Sequence, residues 1–348
     1  MAAAEPTTAP PIGYRLPAEW EPHAAIWLAW PHRRATFLGD FAEIPPAFAR
    51  LVRLLAEHEP VRVIGSETVL ADAAGHLAAA TNVELVEIPT SDSWLRDTGP
   101  VFLTPLQGPA PPLAVAFEFN AWGGKYPPWD ADAAVAAGLA ARLGLDVVHP
   151  GIVLEGGGLE TDGAGTLLVN HRCIEDPRRN PGLSRAELTA VLQRSLAVDT
   201  VLWVGGELAG DDTDGHIDQL VRFVAPGRVV AARQPDRADP NHKPLETNLQ
   251  RLRTLVDARG CSLEVIPLDL PSRLGYDGVQ LPASYLNFVV VNGGVIVPTF
   301  EHPADAAAVA TLTELFPDRV VQAFPALELI RGRGAVHCVT CQEPARRS

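Results

Sequence analysis

The stretch AFARLVRLLAEHEPVRVIG, residues 47–65, decides the fold class, because a helical segment (AFARLVRLLAEH) gives way after a two-residue break to an apolar strand (VRVIG). The alternation continues on both sides. HAAIWLAW (23–30) reads as a strand before it, and an Ala-rich helical stretch followed by VELVEIP (83–89) comes after it. Further along, DADAAVAAGLAARLG (130–144) is a helix ended by Gly144, and SRAELTAVLQRSL (184–196) opens with Ser184 and Glu187 in capping-box spacing. YLNFVVVNGGVIVPTF (285–300) reads as two strands around an Asn-Gly turn. The class is α/β.

Five apolar runs, VELVEIP, GIVLEGG, VLWVGGE, LEVIPLD and VVQAFPA, begin at positions 83, 151, 201, 263 and 320, most of them after a helical segment. Such placement suits supersecondary units closing around an axis, with polar motifs at the strand ends meeting at one centre. An open α/β sheet with irregular insertions fits the same pattern. No long low-complexity linker divides the chain, so a single domain over residues 1–348 is expected, with residues 1–12 as an N-terminal tail without fixed structure.

The chain has 348 residues, 47% of them hydrophobic, enough for a sizeable core. The opening MAAAEPTTAPP lacks a basic region followed by an apolar run, and the apolar stretch FVVVNGGVIVPTF is broken by Asn292, Gly293 and Gly294. A cytoplasmic protein that does not enter a membrane is expected. The net charge of -14, from 28 Lys+Arg against 42 Asp+Glu, opposes a nucleic-acid partner, which needs a basic footprint. A small cation suits that field, although excess acid also serves solubility alone. Whether the chain forms a homo-oligomer is left open.

The closing GRGAVHCVTCQEP (332–344) holds a C-x-x-C with His337 before the first cysteine. A thioredoxin-like pair should lie early, between a strand and a helix N-terminus; a zinc site needs a second ligand pair; a haem attachment needs His after the second Cys. None of these contexts is present, so the two are not expected to act as a pair; a lone cysteine here is either inert or a nucleophile, and the second reading needs partners elsewhere. In GDDTDGHIDQLVRF, His216 and Asp218 are two apart, a spacing that in extended chain points both to one face. The neighbouring Asp211, Asp212 and Asp214 make a hard-metal loop the competing reading of that segment. SDSWLRDTGP supplies Trp94 and Asp97, with an internal Arg96 pair to Asp97 or Asp92 as the alternative, and VLEGGG brings Glu155 to a glycine run without nucleotide-loop spacing. One Cys, one His and three carboxylates suit a planar, cationic electrophile. Guanidinium offers N–H donors to carboxylates and a carbon that a thiolate can attack.

These motifs resemble the agmatine deiminase and bacterial-type peptidylarginine deiminase family of the guanidine-modifying superfamily. The resemblance runs almost end to end, through LPAEWEPHAAIWLAWP, DSWLRDTGP, FEFNAWGGKYPPWDAD, LEGGGLETDGAGTLLV, GHIDQLVRF and HCVTCQEP. It implies a five-bladed α/β propeller of pseudo-fivefold ββαβ units with the active site in a central channel. It implies further that Cys338 is the nucleophile, His216 the general acid/base, Glu155 the residue that orients His216, and Asp97 and Asp218 the guanidinium-binding carboxylates, with Trp94 and Trp122 lining the substrate site. The implied reaction is a hydrolysis of C–N bonds without metal or other cofactor, agmatine to N-carbamoylputrescine and ammonia through a Cys alkylthiouronium. Agmatine deiminases commonly carry an Asn shortly before the His-Cys pair and glutamines after it, where this chain has Arg333, Ala335, Cys341 and Glu343 in and around the motif. Those positions bear on the far end of the pocket, where Arg333 could meet a carboxylate that agmatine lacks. Free or peptidyl arginine as substrate is therefore the nearest alternative. A non-catalytic guanidine or polyamine binder is the alternative from another class, although a binder needs no thiol.

Overall fold

The helical segment read at 47–58 forms Ile44–Ala56 in the computed structural model, which describes residues 7–346. Pro45 stands in its first turn, where a missing N–H breaks no bond. Phe48, Leu51, Val52 and Leu55 recur at helical spacing and are wholly buried, each burial stabilising by about 1.5–3 kcal/mol. That stripe faces the strand Val61–Gly65 and the helix Glu67–Leu77.

Five sheets share one connectivity: an antiparallel pair, a helix, then a strand parallel to the second member of the pair. Val101–Pro105 and Leu113–Val115 are followed by helix Asp130–Leu143 and strand Val147–Val148. Leu159–Thr161 and Thr166–Asn170 lead through helix Arg185–Leu196 to Thr200–Val204. Val221–Ala225 and Arg228–Arg233 lead through His242–Leu252 to Glu264–Asp269. Val289–Val291 and Gly294–Thr299 lead through Asp305–Leu315 to Val320–Pro325. The fifth sheet draws on both ends of the described chain. Thr340–Pro344 pairs antiparallel with His23–Ala29, whose parallel neighbour is Val61–Gly65, and Val83–Glu87 extends that sheet by one more parallel strand. Tyr14–Arg15 edges the first sheet, and Leu274–Tyr276 with Val279–Leu281 forms a separate hairpin.

Local signals act where they were read. Ser184 and Glu187 close a reciprocal capping box, and Gly144 ends its helix in the left-handed conformation at φ 64°. Asn292 and Gly293 turn the hairpin between Val291 and Gly294. Of the five apolar runs, those at 83, 201, 263 and 320 supply the outermost strand of a sheet. The run at 151 does not: Val153 makes only an isolated bridge to Glu118, and Gly156–Gly158 coil into a 3-10 turn. Its place at the sheet edge is taken by Val147–Val148, because the glycine-rich run is drawn inward instead. Residues 1–6 of the expected tail lie outside the described residues, while the Thr7 carbonyl accepts a hydrogen bond from His149 N. Among the described residues no helix is long and apolar enough to cross a membrane.

Candidate active site

The segment that leaves each outermost strand returns to the first strand of the next sheet, and each return delivers polar side chains to one place. Trp94 and Asp97 precede Val101–Pro105, Glu155 precedes Leu159–Thr161, and His216 and Asp218 precede Val221–Ala225. Asn287 precedes Val289–Val291, and His337 and Cys338 precede Thr340–Pro344. Trp122 comes from a turn after Leu113–Val115 in which its own φ is 55°. All seven side chains expected at the site are buried and lie in one connected cluster.

Trp94, Trp122, Asp97 and Cys338 line a cavity of about 370 Å³ that also touches Tyr126 and Arg333. Asp218, His216 and Glu155 are completely buried behind them. The Trp122 indole N–H donates to Asp97 Oδ2 at 3.0 Å, and Gly157 N donates to Oδ1 at 3.1 Å, so Asp97 is held from two sides. His216 places Nδ1 3.6 Å from Asp97 Oδ1 and Nε2 3.5 Å from Glu155 Oε2. These are charge contacts longer than hydrogen bonds, and neither ring nitrogen has a hydrogen-bonding partner among the described residues. The glycine after Glu155 explains itself here. A Cβ on Gly157 would lie 2.6 Å from His216 Nδ1 and 2.8 Å from Asp97 Oδ1, so only glycine lets these groups meet.

Cys338 Sγ stands 3.6 Å from Asp218 Oδ2 and accepts from Asn287 Nδ2 at 3.1 Å. The same amide donates to Asp218 at 3.2 Å, while its oxygen receives the backbone N–H groups of Ala335, His337 and Cys338. Those three donors fix which way the amide points. Asp218 Oδ1, buried, has no hydrogen-bonding partner among the described residues.

Burial, then the nearby Asp218 and Asp97 carboxylates, push the Cys338 thiol well above its usual range, so the unliganded site holds a thiol. Burial also raises Asp97, to about 6, with Asp218 and Glu155 adding to the shift against the pull of His216. Burial opposes charge on Glu155, but Arg179 and His216 overcome it and hold the carboxyl at about 2. For His216 burial opposes protonation and Asp97 and Glu155 outweigh it, giving an imidazolium.

Sequence reading missed Asn287, whose segment YLNF looked like plain strand, and Arg179, whose guanidinium contacts both Glu155 oxygens at 2.8 and 3.1 Å. Nothing local marks either residue, since both partners lie more than twenty residues away. Arg96 does not pair with Asp97 or Asp92; its Nη1 donates to Gln342 at 2.6 Å. The acidic loop is already engaged. Asp211 caps Thr213 and Gly215, Asp212 accepts from Tyr126 and Arg333, and Asp214 takes Lys125, Arg178 and Arg179. Glu155, Cys173 and His216 offer three possible metal-ligand atoms within 4.8 Å of one another. Arg179 already places a fixed cation on the carboxylate of that set, which opposes an added metal ion. The four cysteines are free, and Cys341 faces the Pro100 carbonyl at 3.5 Å, away from the cavity that Cys338 lines.

The model of the Porphyromonas-type peptidyl-arginine deiminase family matches residues 15–344. The chain is 38% identical to an agmatine deiminase of Ectopseudomonas mendocina (strain ymp), over 97% of this chain and 98% of that protein. It is 37% identical to an agmatine deiminase of Pseudomonas aeruginosa (strain LESB58), over 98% and 99%. The solved agmatine deiminase of Enterococcus faecalis superposes with a TM-score of 0.92 at 31% identity, over 96% of this chain and 97% of that one.

Proposed function

Since the chain belongs to the Porphyromonas-type peptidyl-arginine deiminase family, we propose that it hydrolyses agmatine to N-carbamoylputrescine and ammonia. The observation that carries the reading is a buried thiol 3.6 Å from one carboxylate, in a cavity that it shares with a second and that lies against an imidazolium. Asp97 and Asp218 take the guanidinium N–H groups, and its positive charge offsets the two carboxylates that keep Cys338 protonated. Binding thereby lowers the thiol pKa and yields the thiolate when the electrophile is in place. Sulfur attacks the guanidinium carbon to give a neutral tetrahedral adduct. The His216 imidazolium gives its proton to one amino group, which leaves as ammonia, and a cationic thiouronium stays on sulfur. Neutral His216 then takes a proton from water, hydroxide adds to the carbon, and the C–S bond breaks as the hydroxyl proton passes to the departing sulfur, releasing the neutral ureido product and restoring the Cys338 thiol and the His216 imidazolium. Glu155, ionised by Arg179, stabilises the His216 charge in each proton transfer.

Trp94 and Trp122 form the walls that hold the alkyl chain. Arg333 donates to Asp212 and Tyr126 at 2.8 and 3.1 Å, so its charge is engaged inside the protein, which favours a substrate without a carboxylate. The five sheets of common connectivity, with five returning segments at one centre, support a single-domain five-bladed propeller about this site. Ammonia release from agmatine, free arginine, blocked arginyl peptides and shorter guanidines tests the assignment. Agmatine is expected to give the highest kcat/KM, Cys338→Ala to abolish turnover, and Cys341→Ser to keep most of it. A higher kcat/KM for arginine or an arginyl peptide would overturn the substrate, and full activity in Cys338→Ala the chemistry.

A further inference from the structure

His337 is a titratable group at the site that the reaction leaves unused. Its ring lies between two carboxylates: Nδ1 is 2.7 Å from Asp218 Oδ2 and Nε2 is 2.8 Å from Glu19 Oε2. A neutral imidazole has one N–H and one lone pair, so it can donate to only one of them. The other contact then needs a protonated carboxyl, and the remaining partners of both acids oppose that. Glu19 already accepts from Arg222 Nη2 at 2.7 Å on the same oxygen and from Val290 N at 2.7 Å on the other. Asp218 Oδ2 also receives the Asn287 amide. Both carboxylates are therefore surrounded by donors, which favours their ionised forms.

Burial, then the guanidinium groups of Arg222 and Arg96, pull the His337 imidazole below its usual range against Glu19 and Asp218, a balance that sets aside what the contact geometry demands of both ring nitrogens. Arg222, however, is spent on Glu19, Glu160 and the carbonyls of Leu286 and Phe288, and Arg96 on Gln342 and the His337 carbonyl. The two charge-assisted contacts, at 2.7 and 2.8 Å, touch the ring nitrogens directly, whereas the Arg222 charge is also neutralised by Glu160 at 2.7 Å.

We propose that His337 is a standing imidazolium clamped between Asp218 and Glu19, a positioning residue that fixes the Asp218 carboxylate and offsets its charge against the Cys338 thiol. The groups that face this pair and Cys338 are then accounted for: Glu19, Arg222 and Arg96 around the ring, Asp218 and Asn287 beside it, and Asp97 and His216 across the site. Glu19 acts through His337 and touches no substrate. The inference holds whatever guanidine the enzyme accepts, because neither test below uses turnover.

The direct test is long-range 1H–15N NMR of the imidazole side chains of the full-length wild type, with the His337 signals assigned by their loss in His337→Gln or, should that variant not fold, in His337→Asn. Two N–H signals on one ring at neutral pH are expected; a single N–H with a lone-pair nitrogen would overturn the proposal. In Glu19→Gln the amide can donate to Nε2, so the ring becomes neutral and one N–H signal vanishes. Losing that cation disfavours the thiolate, and the pH profile for alkylation of Cys338 by iodoacetamide should move upward by about one unit, roughly tenfold slower at a given pH below the thiol pKa. An unmoved alkylation profile in folded Glu19→Gln would likewise overturn it.

Discussion

At the scale of single residues the site works by proximity that small side chains permit. Gly157 lets Asp97, His216 and Asp218 crowd one point, and a methyl group there would displace the imidazole it meets at 2.6 Å. Gly157→Ala is expected to lower kcat about 100-fold or more while the protein stays folded, read from ammonia release alongside circular dichroism. Near-normal turnover would show that the imidazole can shift without harm. Asp97 gives a pH prediction. Its carboxyl is raised from 3.8 to about 6, so in the free enzyme it takes up a proton as pH falls through about 6, where an ordinary aspartate stays charged. The kcat/KM for agmatine should therefore fall on an acid limb near 6. The limb in kcat should lie lower, because bound guanidinium favours the anion. An acid limb that starts only near the ordinary aspartate value would contradict this arrangement.

Elements divide the labour between stability and positioning. Helices such as Arg185–Leu196 carry their own end signals and sit outside the sheets, far from Cys338 in function. Ser184→Ala removes the capping hydroxyl and should cost about 1 kcal/mol in urea unfolding while leaving deimination unchanged. A loss of activity without loss of stability would mean that this helix reaches the site. The strand Thr340–Pro344 does the opposite work. By pairing with His23–Ala29 it fixes the segment before it, and Cys338 with it, against residues from the start of the chain. The short returning segments are irregular because each must turn its backbone inward. The run at 151 shows this, since its glycines exchange a strand for a 3-10 turn that brings Glu155 beneath His216.

Across the whole molecule, charge is arranged by depth. Glu155 with Arg179, and Glu19 and Glu160 with Arg222, form paired networks under the site, and the cavity mouth carries Asp212 with Arg333 and Tyr126. Agmatine carries a second cation on its tail, and the proposed binding mode sets that amine against Arg333 for the negative charge of Asp212. Arg333→Ala should raise the ratio of kcat/KM for agmatine to that for butylguanidine, which lacks the amine, by about fivefold, as expected for a partly exposed ion pair. An unchanged ratio would place the tail away from Arg333.

The sequence by itself determined the α/β class, the capped helices and the Asn-Gly hairpin, and it singled out seven side chains that the fold brings into one buried cluster. These are legible because period, caps and turns are local, and because Cys338, His216 and the carboxylates are chemically conspicuous. Only the tertiary structure decided that the run at 151 bends inward, that Asn287 holds Cys338, that Arg179 keeps Glu155 charged, and that His337 joins Asp218 to Glu19. Each of those rests on residues distant in sequence, Glu19 and His337 from nearly opposite ends of the chain. A pairing of that kind leaves no local pattern, because the side chains become neighbours only when the last strand closes against the first long one.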